Sequence, residues 1–146
     1  MTTTDKILQF EEKARDYEIE KDYPNAIKYY TKAYDLAIKQ EDVSIVIPCG
    51  PLEKLSKIYH KLKMYEKEIE ALDILINEYM EDNRKRTEEY IARFPDMEDL
   101  ALDALETNTT ILDKHAEPPF PGKTLLQYNV KKYIDRREKL KHKITK

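Results

Sequence analysis

The chain has 146 residues, 38% of them charged and 40% apolar, with two glycines, seven prolines and one cysteine. This is about one domain's worth of chain, and its wealth of Glu, Lys, Leu, Ile and Ala describes solvated helices with buried stripes, which excludes a disordered polymer. A lone Cys49 excludes an internal disulfide, and without an 18-residue apolar run no membrane-spanning helix is expected.

The net charge of −3 is unevenly spread, with nine Lys/Arg against two Asp/Glu in residues 123–146 and 17 against 27 in residues 1–122. The opening Met1-Thr2-Thr3-Thr4-Asp5-Lys6 lacks the apolar core of a secretory signal, so a cytoplasmic location is the expectation.

Six helices in a single domain are expected. The first starts at Thr4 or Asp5, both good caps, and runs to about Lys21, with Ile7, Phe10, Ala14 and Tyr17 on one face. Asp22-Tyr23-Pro24 turns into a second helix over about 24–41, since proline is tolerated in a first helical turn. That helix is apolar on two sides, Ala26, Tyr29, Ala33 and Leu36 on one and Ile27, Tyr30, Tyr34 and Ala37 on the other, which predicts packing against two neighbours.

Ile45-Val46-Ile47 and Pro48-Cys49-Gly50-Pro51 read as a buried connection, with Pro51 opening a third helix over 51–62. Lys63-Met64-Tyr65 turns into a fourth, unbroken from Glu66 to Arg93, whose polar second half beyond Tyr79 either projects or packs by one face only; Phe94-Pro95 ends it. Asp96 is the expected cap of a fifth helix carrying Met97, Leu100, Ala101, Ala104 and Leu105, and Asn108-Thr109-Thr110 weakens its far end. After the break at 118–122, Thr124 and Gln127 have the spacing of a capping box. The sixth helix then runs to about Lys143 with Leu126, Val130, Tyr133, Ile134 and Leu140 inward.

A period of 42 residues links the first four helices, matching Tyr17 to Tyr59, Tyr23 to Tyr65 and Tyr30 to Leu72. Phe10, Ala14 and Tyr17, followed by Ala26, Tyr30 and Ala33, resemble the tetratricopeptide repeat, as do Leu52, Leu55, Ser56 and Tyr59 more loosely. Glu68 departs from it by standing where the family has a small residue, and the period is longer than the family's usual one.

The resemblance implies an all-α, right-handed stack of antiparallel helix pairs. Two such pairs would span 5–93, with a divergent helix pair over 96–146 as a cap. It also implies a non-catalytic groove for a peptide or partner protein, lined by Glu11, Arg15 and Glu18 from the first helix and Lys54, Lys57, His60 and Lys61 from the third. The basic group there favours an acidic ligand. The family's clamp for chaperone C-termini needs an Asn on the first helix, which residues 5–21 lack.

The competing expectation is nucleic-acid binding by the basic terminal helix through Lys131, Lys132, Arg136, Arg137, Lys139, Lys141 and Lys143. Against it stands internal neutralisation by the acidic stripe Asp96, Asp99, Asp103 and Glu106. Arg137 and His142 also spell Arg-x4-His, which resembles the motif of HEPN-type ribonucleases, a short pattern that Lys/Arg-rich helices produce by chance. His60, His115 and His142 lack metal-ligand spacing, no glycine-rich phosphate loop exists, and Cys49 reads as a buried thiol, so neither metal nor cofactor is expected. Tyr29, Tyr34 and Tyr90 predict self-association if they lie on the surface.

Overall fold

The computed structural model describes residues 1–40, 46–112, 124–125 and 128–145. The expected break at 118–122, His115, Leu126 and Gln127 lie outside them. The fold is all-α: α1 (Thr3–Ile19), α2 (Tyr23–Ile38), α3 (Val46–Lys61), α4 (Tyr65–Arg93), a 3-10 turn (Pro95–Met97), α5 (Glu98–Thr107) and α6 (Lys131–Ile144). One two-residue antiparallel pairing sets Ile111 opposite Leu125 and Leu112 opposite Thr124.

Local chemistry places most helix ends, and four differ from expectation. Thr2, rather than Thr4 or Asp5, caps α1: its hydroxyl accepts from the Asp5 amide at 3.1 Å while the Asp5 carboxylate accepts from the Thr2 amide at 3.0 Å. This reciprocal pair satisfies two otherwise orphaned donors and holds the Asp5 carboxyl below its ordinary pKa.

α3 begins at Val46, not Pro51. Pro48 lies in the first turn, where no amide donor is required, while Pro51 inside the helix leaves the Ile47 carbonyl without its usual partner. Burial offsets that loss, since Cys49, Pro51 and Leu52 are buried and Ile47 packs on a cluster of Ile7, Ala33 and Ala37. Asp96 lies within the 3-10 turn instead of capping α5, whose first turn is anchored by the buried Met97. Thr124 pairs with Leu112 instead of capping α6, which starts at Lys131 with Asn129 accepting from the Lys132 amide at 3.4 Å.

The chain divides into two compact units, Met1–Leu75 with Arg136–Lys146, and Ile76–Asp135. In the first, α2 packs on both α1 and α3, as its two apolar sides require. Ala26, Tyr30, Ala33 and Ala37 are buried along it, flanked by half-buried Ile27, Tyr29, Tyr34 and Leu36.

The 42-residue period is visible in the backbone. Lys21 and Lys63 both adopt left-handed conformations, at φ 62° and 60°. Around Lys21, the Asp22 amide donates to the Tyr17 carbonyl at 2.8 Å and Lys21 to Glu18 at 3.0 Å. Around Lys63, the Met64 amide donates to Tyr59 at 2.8 Å and Lys63 to His60 at 3.1 Å. Both are Schellman turns, which satisfy the last carbonyls of a helix and reverse the chain into the next one.

Burial follows the same shift. Ala14 and Ser56, Ala26 and Glu68, Tyr30 and Leu72, and Ala33 and Leu75 are all buried.

In the second unit, Asn83 and Asn108 grip one short stretch of backbone. Asn83 donates to the Tyr128 carbonyl at 3.0 Å and accepts from the Tyr128 amide at 2.8 Å. Asn108, itself left-handed at φ 54°, donates to the same carbonyl at 2.8 Å and accepts from the Val130 amide at 2.9 Å. Tyr79 stacks on Tyr133 (ring centres 5.7 Å apart, 9° between planes) and tilts against Tyr128. Of the two expectations for the second half of α4, one-face packing is met by Tyr79, Asn83 and Thr87, buried at four-residue steps.

Candidate functional site

Glu11, Arg15 and Glu18 share one stripe of α1 and gather around Tyr30 of α2, whose hydroxyl donates to Glu18 Oε1 at 2.8 Å. Burial pushes the Tyr30 phenol up in pKa, and the bond to Glu18 adds to the shift. Burial also raises the half-buried Glu11 carboxyl, with Arg15 opposing. These side chains build the α1–α2 seam while leaving Arg15 exposed.

On α3, Lys54, Lys57 and Lys61 are exposed while Leu52, Leu55 and Ile58 anchor the opposite side in the core. Lys61 lies 5.9 Å from the Tyr23 ring centre. Among the described residues no carboxylate pairs with Lys54, Lys57 or Lys61. His60 differs, its Nδ1 lying 2.9 Å from Glu68 Oε1 with the side chain 54% exposed. The α1 residues are thus joined through Tyr30, and His60 through Glu68.

Glu68, legible in the sequence only as a departure from the repeat, has a partner that sequence reasoning missed. It stands where the first helix pair has Ala26, and it is fully buried. Arg136 donates to it through Nε at 2.7 Å and to the Ser56 carbonyl through Nη2 at 3.1 Å. An isolated buried carboxylate is strongly disfavoured, so this side chain is tolerated only because α6 delivers a guanidinium to it. The missing signal is long-range, since the partners are 68 residues apart.

That arrangement changes the reading of the basic helix. Arg137 donates to Asp73 at 2.9 Å and to Glu138 at 3.2 Å, and Lys143 to the Tyr65 hydroxyl at 3.3 Å. Lys131, Lys132, Lys139 and Lys141 stay exposed. The acids that hold Arg136 and Arg137 lie on α4, plus Glu138 of α6 itself, not on the α5 stripe expected to neutralise them. Five residues along a helix turn Arg137 and His142 about 140° apart, and Arg137 is already engaged. Within one chain this pair does not converge on a common substrate.

The tyrosines expected to form a sticky surface are half-buried. Tyr29 stacks on Tyr17 (5.6 Å, 15°) and lies near Phe10, with the ammonium groups of Lys13 and Lys32 4.7 and 4.8 Å from its ring centre. The hydrogen bond from Lys13, followed by the charges of Lys13, Lys32 and Lys28, lowers the Tyr29 phenol pKa. Tyr90 packs against Phe94 at 5.3 Å. Self-association loses its aromatic premise; exposed apolar area is found instead at Leu8, Ile19, Ile38, Met80, Leu100 and Leu102.

Among the described residues no three His, Cys, Asp or Glu side chains gather as a metal-binding group, and no helix is long and apolar enough to cross a membrane. Cys49 is buried. No protein-family model, curated protein or solved structure matches this chain.

Proposed function

We propose that this chain is a non-catalytic protein-docking module whose first four helices form a stack of two antiparallel pairs resembling tetratricopeptide repeats. The 42-residue spacing of the turns at Lys21 and Lys63 and the repeated burial pattern support that reading. The occupant is an acidic peptide segment of a partner protein. One observation carries this choice: Lys54, Lys57 and Lys61 are exposed on a helix rigidly anchored behind them, and no carboxylate among the described residues pairs with them. Clustered unneutralised cations on a fixed surface concentrate the field that steers an anion to it.

Nucleic-acid binding by α6 is the weaker reading, because Arg136 and Arg137 are engaged in holding that helix. A ribonuclease reading is weaker again, since it needs Arg137 free.

The test uses a short, fluorescently labelled glutamate-rich peptide and the full chain at low salt. Lys54→Glu with Lys57→Glu should weaken binding at least about tenfold, or 1.4 kcal/mol, whereas Lys139→Glu with Lys141→Glu should leave it unchanged. Equal losses in both variants, or no binding by the parent chain, would remove the α3 surface from consideration.

A further inference from the structure

The second unit contains a cavity of about 590 Å³ to which the docking surface on α3 makes no contribution. Its apolar lining comes from Met80 of α4, Leu105 of α5, and Val130 and Ile134 at the start of α6. That volume lies in the range of recognised binding pockets. Its walls are set in advance, because Asn83 and Asn108 fix the backbone of Tyr128 and Val130 by four hydrogen bonds. A surface already ordered loses little conformational freedom when a ligand arrives.

Apolar side chains are exposed at the cavity and one helical turn before its Leu105 wall. Met80 is 50% exposed and Leu102 45% exposed. Leu102, Leu105 and Glu106 lie at i, i+3 and i+4, so they share one face of α5, and Glu98 and Asp99 extend the same face one turn earlier. The leucines are therefore bracketed by acid along the helix.

The charge around this strip is one-sided. α5 carries Glu98, Asp99, Asp103 and Glu106, all exposed, and no Lys or Arg. Arg84 at the cavity is already bound by Glu81 and Glu88, which leaves Lys131 as the cation at the rim. Apolar anchors flanked by carboxylates that pair with no cation among the described residues call for a ligand that is apolar on one side and cationic beside it.

We propose that this groove docks an amphipathic helix of a partner protein, its apolar face seated over Met80, Leu102 and Leu105 and its Lys/Arg residues facing the α5 carboxylates. Helix-in-groove recognition of this kind places large apolar anchors at i, i+3 or i+4, and i+7. A second copy of the chain is the poorer occupant. Its basic helix α6 has Tyr133 and Leu140 buried in its own fold and, of its large apolar side chains, only Ile144 exposed, too little for an apolar docking face.

The experiment mixes the full chain with a labelled leucine–lysine amphipathic helical peptide and with its leucine–glutamate counterpart. The lysine peptide should bind and the glutamate peptide should not. Met80→Ser with Leu102→Ser changes only half-exposed side chains and should weaken binding more than about tenfold. Asp103→Lys with Glu106→Lys keeps the apolar floor and should weaken it comparably. Lys54→Glu with Lys57→Glu should leave it intact, which separates this site from the α3 surface. Equal binding of both peptides, or insensitivity to the serine pair, would overturn the proposal. So would self-association abolished by that pair, which would assign the groove to a second copy.

Discussion

Replacing Arg136 with Met tests the account of how α6 is held. Methionine keeps most of the aliphatic bulk and removes the guanidinium. Glu68, with no exposed side-chain area, would then keep only His60, itself 54% exposed. Breaking a buried pair from one side costs about 3–5 kcal/mol. Arg136 is 29% exposed, so water can partly replace it, and the lower end of about 3 kcal/mol is expected. In urea unfolding followed by circular dichroism, that lowers the midpoint by about 1.5 M at a slope of about 2 kcal/mol per M. The double variant Glu68→Met with Arg136→Met leaves no orphaned charge and should recover most of the loss, because apolar replacements of buried ion pairs are often neutral or better. A single variant within 1 kcal/mol of the parent, or a double variant less stable than the single, would refute the reasoning.

Two further outcomes follow from local geometry and titration. Lys21→Gly and Lys63→Gly should each raise stability by about 0.5–1 kcal/mol, because a side chain in the left-handed region carries a steric penalty that glycine lacks; a drop in either melting temperature contradicts the turn assignment. Glu11 titrates higher in the folded chain than its usual 4.5, so it favours folding when protonated, and that contribution is lost as pH climbs through 4.5 toward the raised value. Glu11→Gln should therefore be more stable than the parent at pH 7, with the difference shrinking below pH 4.5, as read from unfolding curves across that range.

Features encoded within a turn or two of chain were legible in the sequence. The apolar steps of α1, α2 and α4 and the match of Tyr17 to Tyr59 rest on local periodicity. The exposed lysines of α3 follow from the same periodicity, since Leu52, Leu55 and Ile58 claim the other side. Interactions that close over long distances were not legible. Pro48 and Pro51 resemble a helix breaker until the burial of Cys49 and Leu52 is known. Thr124 and Gln127 satisfy the local grammar of a cap, yet Thr124 pairs with Leu112. Glu68 and Arg136 looked like an interruption of a repeat and a free cation. Neither has its meaning without the other.

The grip of Asn83 and Asn108 on residues 128–130 has a consequence for how this protein can drift. A carboxamide offers the same donor and acceptor that a neighbouring strand would, so these two side chains supply sheet-like bonding without a sheet. Asp lacks the donor and Gln is a methylene too long, so substitution at 83 and 108 should be narrowly restricted. The bonds they make to residues 128–130 go only to main-chain atoms, so the grip itself reads no side chain there, although Asn83 also accepts from Arg86. Side chains at 128 and 130 are restricted by packing instead, Tyr128 against Tyr79 and Arg86 and Val130 by burial, so backbone grip and side-chain fit constrain this segment separately.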